Sequence, residues 1–505
     1  MRKKIICLAT AACLAATMSG CARKGSEEQI PSPTLSPATV SWTAPDGDGV
    51  IRQGREATLY IPEENEAKLV SRSISLAEGN LNETAEALVK ALLEAVNEER
   101  ADPAEREIGL TREQHAEISG GVCTVNLGPS ALQLGNSEYY KLALGVAATL
   151  CELDEIRYVN VLTANQSVAL DPAGNLPMGT LTGHAGENLS VLWEQTEARK
   201  TPQGGNPAMS PLNSEATIYY PLPEGMGIGC ECRRIAFEGQ TAGQLASTLM
   251  DAVSETVKNR IGGADTPDLW EYMVHEPVAS EMEDGGKLIT LSFRQDLQEL
   301  ADGWNTDIAC MAAALTWTLT TFIPGVSAVC FRIGDKPVTE LGSSRFTVGT
   351  ILGGLMRRSV FDQFLRGSVT VFFEKNGRLI RTEKAADRES ADSPRVQLEA
   401  LIQGPDRRET EQGITSPMPE GIREDDLLGI AAEGETMLVN LSGHFRDQIK
   451  ENGAEKETLM CYALVNTLCY NTGMKRVCFF FEGAQTEKIA GEIYWAGEFR
   501  YNPEM

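Results

Sequence analysis

The chain has 505 residues, 42% of them hydrophobic, which is enough to build cores for about three domains. Its 71 acidic residues outnumber 45 basic ones and give a formal net charge of −26, which argues against capture of nucleic acid or other polyanions by bulk electrostatics. Beyond the first twenty residues, no segment is long and apolar enough to cross a membrane as a helix.

Met1, Arg2, Lys3 and Lys4 precede an apolar run from Ile5 to about Met18, the charged and hydrophobic regions of a secretory signal. About 14 apolar or small residues fall short of the roughly 20 that a spanning helix needs, so residues 1–20 are expected to be removed as a lipoprotein signal peptide. Met18, Ser19, Gly20 and Cys21 fit a lipobox in which Met18 replaces the usual leucine. Cys21 is therefore the expected lipidation site, tethering the protein to the cell membrane at its outer, extracytoplasmic face. Residues 21–54 are rich in Ser, Pro, Thr, Gly and charge and carry no hydrophobic period. They are expected to form a flexible tether with a reach of roughly 30 Å.

The same order of elements then recurs three times with a period of about 155 residues, which marks domains and not solenoid units. Strands are expected at Thr58–Ile61, Thr217–Tyr220 and Thr370–Phe373, from their β-branched and aromatic composition. A helix start follows each, at Thr84, Thr241 and Ser393; Thr241 with Gln244 has capping-box spacing, and Pro394 suits a first helical position. Next come strands centred on Asn126, Thr290 and Asn440, whose polar middle residues should point away from the core. Second helices are expected over Ser137–Cys151, Asp307–Thr321 and Lys456–Tyr470, and last strands at Val159–Val161, Val329–Phe331 and Val477–Phe479. A shared tail links Met178–Gly183 with Val348–Gly353, and Gly491–Trp495 is its expected counterpart in the third copy. The apolar, Gly-rich stretch Val348–Met356 reads as a strand completing the second copy in preference to a docking contact.

The fold class is thus α/β (α+β): three tandem small two-helix, mixed-sheet domains over residues 55–200, 213–362 and 367–505. The boundaries fall in the stretch Thr201–Pro207 and near Arg366 and Gly367.

Chemistry-bearing residues do not converge on a catalytic pattern. Cys7 and Cys13 leave with the signal and Cys21 takes the lipid, so nine of twelve cysteines remain, most of them in apolar helix or strand patterns of a core. Cys230 and Cys232 form a C-x-C with no second ligand pair beside it, so no metal is expected there. His115, His184, His275 and His444 are scattered at non-equivalent positions and read as surface residues. Nucleophile-elbow, phosphate-loop and dinucleotide motifs are missing. The acidic pairs Glu63 with Glu64 and Asp425 with Asp426 read as solvated surface.

In the third copy, Leu398–Pro405 (LEALIQGP), Pro417–Ile422 (PMPEGI), Val439–Ser442 (VNLS) and Tyr462–Phe480 together resemble the GerM-type sporulation and spore germination domain (GerMN). The first copy carries the frame more loosely. The second lacks the Gly-Pro after its first helix and has extra residues before its last strand. The resemblance implies an α/β module related to ring-building envelope folds. It also implies a membrane-anchored lipoprotein of a spore-forming Gram-positive bacterium, with no enzymatic activity and no cofactor. Expected partners are the membrane, through the N-terminal lipid, envelope or sporulation proteins, and other copies of the chain. The competing expectation is a cell-envelope ligand- or wall-binding module unrelated to spores.

Overall fold

The computed structural model describes residues 42–49, 56–63, 69–75, 81–99, 107–111, 116–153, 155–171, 174–183, 212–237, 241–262, 265–388, 390–491 and 493–505. The expected signal peptide, Cys21, most of the tether and the stretch Thr201–Pro207 lie outside the described residues.

In the first module, β1 (Glu56–Pro62) and β2 (Leu69–Ser75) form an antiparallel hairpin, followed by α1 (Leu81–Glu99). β3 (Ala116–Ser119), β4 (Val122–Leu127), α2 (Asn136–Leu150) and β5 (Tyr158–Thr163) come next. β3 pairs antiparallel with β4, and β4 pairs parallel with β5. A parallel neighbour needs a long crossover, and α2 supplies it. The second module repeats this order with β6 (Leu212–Pro221), β7 (Ile228–Phe237), α3 (Ala242–Val257), β8 (Val278–Glu281), β9 (Lys287–Phe293), α4 (Ile308–Phe322) and β10 (Val326–Ile333). The third repeats it with β11 (Gly367–Lys375), β12 (Arg378–Ala386), α5 (Pro394–Gln403), β13 (Leu427–Glu433) and β14 (Thr436–Leu441). It inserts α6 (Gly443–Asn452) before α7 (Ala454–Thr472) and β15 (Arg476–Phe481), where the second module has a short helix over Leu297–Gly303.

Each copy closes in the same way. Leu181 returns antiparallel to Val159, Met356 to Val329 and Phe499 to Val477. The counterpart in the third copy is therefore Phe499, and not the expected Gly491–Trp495. Val348–Met356 is not the expected strand: Leu352–Gly354 forms a 3-10 turn, with Ile351 buried and Leu352 exposed, and only Met356 bridges to the sheet, at Val329.

A second repeated feature ties hairpin to helix. The Tyr60 N–H donates to Thr149 Oγ1 at 2.9 Å, the Tyr219 N–H to Thr318 Oγ1 at 2.9 Å, and the Thr370 N–H to Asn471 Oδ1 at 3.0 Å. In all three the acceptor lies on the second long helix of the module. The opening strand of each hairpin has a full strand partner on one side only, so amides on its other edge must find a partner once buried.

Three apolar clusters fill the modules. The first gathers Leu59, Leu88, Val125, Leu144 and Val161. The second holds Ile218, Leu249, Leu291, Trp304, Trp317 and Phe331 around α4, of which only Ile308 is not buried. The third holds Val371, Leu398, Val439, Leu464, Phe479 and Trp495. Val122, at the start of β4, belongs to the second cluster, so the first two cores meet.

Tertiary contacts modify some local expectations and leave others intact. Thr241 and Gln244 do form the capping box of α3. But α1 begins at Leu81, three residues before Thr84, because the Leu81 N–H is accepted at 3.2 Å by Asp392 Oδ2 of the third module. Asn126 and Asn440 point away from their own cores yet are only 4% and 5% exposed. Each latches the turn after its last strand: Asn126 Oδ1 accepts the Asn165 N–H at 2.9 Å, and Asn440 Oδ1 accepts the Gly483 N–H at 3.0 Å. Beside Asn126, the same face of the first sheet is covered by the second module. There Asn160 Nδ2 donates to Thr217 Oγ1 at 2.9 Å, and Thr180 Oγ1 to Asn160 Oδ1 at 2.8 Å.

The end of the expected tether is likewise not loose. Asp48 is gripped by Arg395, with Nε and Nη2 at 2.6 and 2.9 Å, and the Gly49 N–H donates to Ile430 O at 2.8 Å. Asn440 Nδ2 reaches Pro45 O at 3.1 Å. The absence of a side chain at Gly429 lets this segment lie close, since a Cβ there would meet Pro45 O at 2.5 Å.

Candidate functional site

The most elaborate polar arrangement lies where the three modules meet, around the hairpin of β3 and β4. That hairpin turns through Gly120 and Gly121, both with positive φ, as a two-residue turn matched to strand twist requires. Close approach also demands glycine at position 120, because a Cβ there would stand 2.8 Å from Cys230 O of the second module. Ser119 Oγ donates to Arg366 O at 2.6 Å, and Cys230 Sγ donates to Ser119 O at 3.1 Å. Two residues back, Glu117 is 7% exposed and receives one arginine from each of the other modules. Arg358 Nη2 lies 3.3 Å from Oε2, and Arg388 Nη1 lies 3.4 Å from Oε1.

Arg358 is itself 2% exposed. Its guanidinium stacks 3.8 Å from the centroid of Trp317 and donates to Thr321 Oγ1 at 2.5 Å. A cation on an indole face, desolvated and paired to a carboxylate, has its charge balanced on two sides. Burial pushes the neighbouring Tyr219 hydroxyl up to about 12, partly offset by the Arg358 charge, so it stays a neutral donor at any physiological pH. This cluster joins modules and presents no exposed reactive group. None of Glu117, Arg358 and Arg388 stands out in the sequence. The Gly120–Gly121 pair is the only local sign that a hairpin inserts here.

A second cluster superficially resembles a hydrolytic triad and is not one. Asp426 accepts hydrogen bonds from Ser442 Oγ, from the Arg423 N–H at 2.9 Å, and from His444 Nδ1 at 3.1 Å. The serine bonds to the acid and not to the imidazole, and its oxygen also caps α6 by accepting the Phe445 N–H at 3.0 Å. A nucleophile needs its proton taken by the base, and here no such path exists. His444 is exposed, as expected of a surface residue, and in addition has a carboxylate partner. Asp426 is 6% exposed, which corrects the reading of Asp425 with Asp426 as a solvated pair.

Burial alone would raise the Asp426 carboxyl, but the Ser442 hydroxyl, the Arg423 amide and His444 together hold it below the usual range. A depressed folded value contributes stability above the unfolded value of about 3.9, and that stability is lost as pH falls through the folded value. Asp426→Ala should therefore cost about 1–3 kcal/mol at neutral pH. Urea unfolding at pH 7 and again in strong acid checks this, with the deficit expected to vanish in acid.

His275 is exposed, its Nδ1 2.8 Å from Glu276 O, while His115, His184 and Glu64 lie outside the described residues. All nine described cysteines are free. Burial pushes Cys230 up to about 12 and Cys310, Cys469 and Cys478 up to about 11, which leaves them as thiols at neutral pH, unsuited to nucleophilic attack. Cys232 sits 3.8 Å from Glu215 Oε2 and is raised further. Among the described residues no group of three or more His, Cys, Asp or Glu side chains could hold a metal ion, and no helix is long and apolar enough to cross a membrane.

The architecture is a series of small mixed α/β modules joined through buried polar contacts. Residues 370–487, most of the third module, match the Germane family of sporulation and spore germination domains. Similar solved structures include the following two. One is the tandem GerMN domains of the sporulation protein GerM from Bacillus subtilis, with 14% identity over 55% of this chain and 92% of that one, and a TM-score of 0.21. The other is a protein of Clostridium perfringens assigned as a lipoprotein, with 18% identity over 27% of this chain and 87% of that one, and a TM-score of 0.19. No curated protein matches the sequence.

Proposed function

We propose that this chain is a non-enzymatic lipoprotein, anchored through Cys21 at the outer face of the cell membrane, that acts as a structural or assembly component of the envelope during sporulation or spore germination. The observation that carries the reading is the match of residues 370–487 to the Germane sporulation and germination family. The lipobox at Met18–Cys21 supports the anchor. Modules whose charged and hydroxyl groups serve contacts to each other suit a scaffold that holds a fixed shape toward protein partners. In this reading residues 55–200, 213–362 and 367–505 are three domains of one ancestry, and self-association or envelope proteins provide the partners.

Accumulation of the protein through a sporulation time course tests the role. The expected result is appearance only after sporulation begins, and a constant level in cells that never sporulate would overturn it. The anchor has its own test, since Cys21→Ala should move essentially all of the protein from the membrane to the soluble fraction. Firm membrane retention of that variant would contradict the lipid attachment.

A further inference from the structure

In each module the larger sheet begins at an outer strand, β3, β8 or β13, that pairs antiparallel with one neighbour. The register makes Ala116, Ala279 and Ile430 equivalent, since they face Val125, Ile289 and Val439, the residues just before Asn126, Thr290 and Asn440. In the third module the chain itself occupies this outer edge. The Gly49 N–H donates to Ile430 O at 2.8 Å, Asp48 Oδ1 accepts the Ile430 N–H at 3.3 Å, and Arg395 on α5 holds the Asp48 carboxylate. An extended segment thus adds to the sheet at Ile430, and a charge on the neighbouring helix selects it. In the first module the end of β3 is engaged as well, where Ser119 O accepts Cys230 Sγ of the second module.

The edge of the second module is open. The Met282 N–H donates to Gly286 O at 2.8 Å, and inward-facing residues alternate along an antiparallel ladder, so Ser280 and Val278 also bond to β9. The N–H and C=O of Ala279 and Glu281 therefore point outward, and they have no hydrogen-bond partner among the described residues. All four residues of β8 are exposed, Val278 by 50%, and Val274 just before the strand by 60%. The charge at this edge is the reverse of that in the third module. Gly243 holds the second position of α3, where α5 carries Arg395, and a Cβ there would stand 2.8 Å from Pro277 O. In place of a cation the edge is flanked by Glu276, Glu281 and Glu283, all exposed and without an ion pair among the described residues. Lys287, opposite Glu281 in the ladder, turns its Nζ to Gly174 O at 3.1 Å, and Arg357 pairs with Asp284 at 2.9 Å.

We propose that β8 is a docking edge for an extended, basic segment of a partner protein, which adds a fifth strand to the four-stranded sheet of the second module through the outward backbone groups of Ala279 and Glu281. Main-chain hydrogen bonds supply the affinity of strand addition, and side chains beside the ladder supply the choice of partner. Here Glu276, Glu281 and Glu283 select lysine or arginine, and Val274 and Val278 offer apolar contact to the residues between. A second copy meeting edge to edge would set the same acids against each other, which disfavours self-pairing at this strand. The inference goes beyond the sporulation reading and does not rest on it.

Calorimetric titration of acetyl-Lys-Val-Lys-Val-Lys-Val-amide into the full chain in detergent tests the edge. The expected result is saturable binding that weakens about tenfold or more in Ala279→Pro, which removes an outward N–H at an edge position where the fold tolerates proline. The double variant Glu276→Lys with Glu281→Lys should lose the lysine peptide and take up its glutamate counterpart. Unchanged urea unfolding of the variants confirms that the fold is kept. The same peptide with every backbone N–H methylated keeps its charge but cannot join a ladder, and the unaltered protein should not bind it. Absence of saturation by the lysine peptide, equal binding of the methylated one, or equal binding of the glutamate peptide by the unaltered protein would each overturn the assignment.

Discussion

Glu117→Ala should destabilise the protein by about 3–5 kcal/mol, the cost of removing one partner from a buried ion pair. The size follows from what is left behind. Arg358 is 2% exposed and would keep its charge inside the molecule, with only the Trp317 face and Thr321 Oγ1 to balance it. Arg388 would lose its carboxylate as well, but it is partly exposed and can turn to water. The loss should show as a lower urea midpoint and as uncoupling, because Glu117 draws an arginine from each of the other two modules. Replacing the pair together, as Glu117→Leu with Arg358→Met, should recover much of the loss, since an apolar pair leaves no charge unbalanced. A single-variant cost below about 1 kcal/mol would mean that the cluster is solvated in solution.

Trp495→Ala is expected to cost a similar amount, about 3–5 kcal/mol, but within the third module alone. Trp495 has no exposed surface and packs against Phe479, Phe481 and Phe499 with ring centroids 5.3 to 6.0 Å apart. Its Nε1–H also donates at 2.8 Å to Glu457, a carboxylate 1% exposed that holds the Ala490 N–H at 3.1 Å as well. Truncation therefore opens a cavity and strips a buried acid of a donor. Residues 488–505 lie beyond the family match, yet they close the core that the match begins. Limited proteolysis should cut the variant first in the third module, and a native-like digestion pattern would refute this.

How far these features could be read from sequence depends on which face a residue uses. The opening strands, the second helices and the last strands were legible because they turn apolar residues into a core at regular spacing. β2 (LVSRSIS) and β8 (VASE) were not, since their side chains are largely exposed and only their backbones bind the sheet. β12 was open to detection, because Asn376 and Gly377 with positive φ make the two-residue turn that Asn-Gly between strands announces. Contacts between modules left almost no trace. Asp392 capping α1 from 311 residues away and Arg358 reaching Glu117 have no period, spacing or motif. The Ser442, Asp426 and His444 cluster shows the opposite hazard, in which suggestive residue types meet in an arrangement that caps a helix and gives the serine no hydrogen bond to the imidazole.

Buried contacts around Glu117 lock the repeated ββαββαβ modules into one body. Small-angle X-ray scattering from residues 43–505 measures this directly. A single fixed arrangement of the modules should reproduce the scattering without an ensemble. A profile that fits only modules tumbling independently on linkers would contradict it.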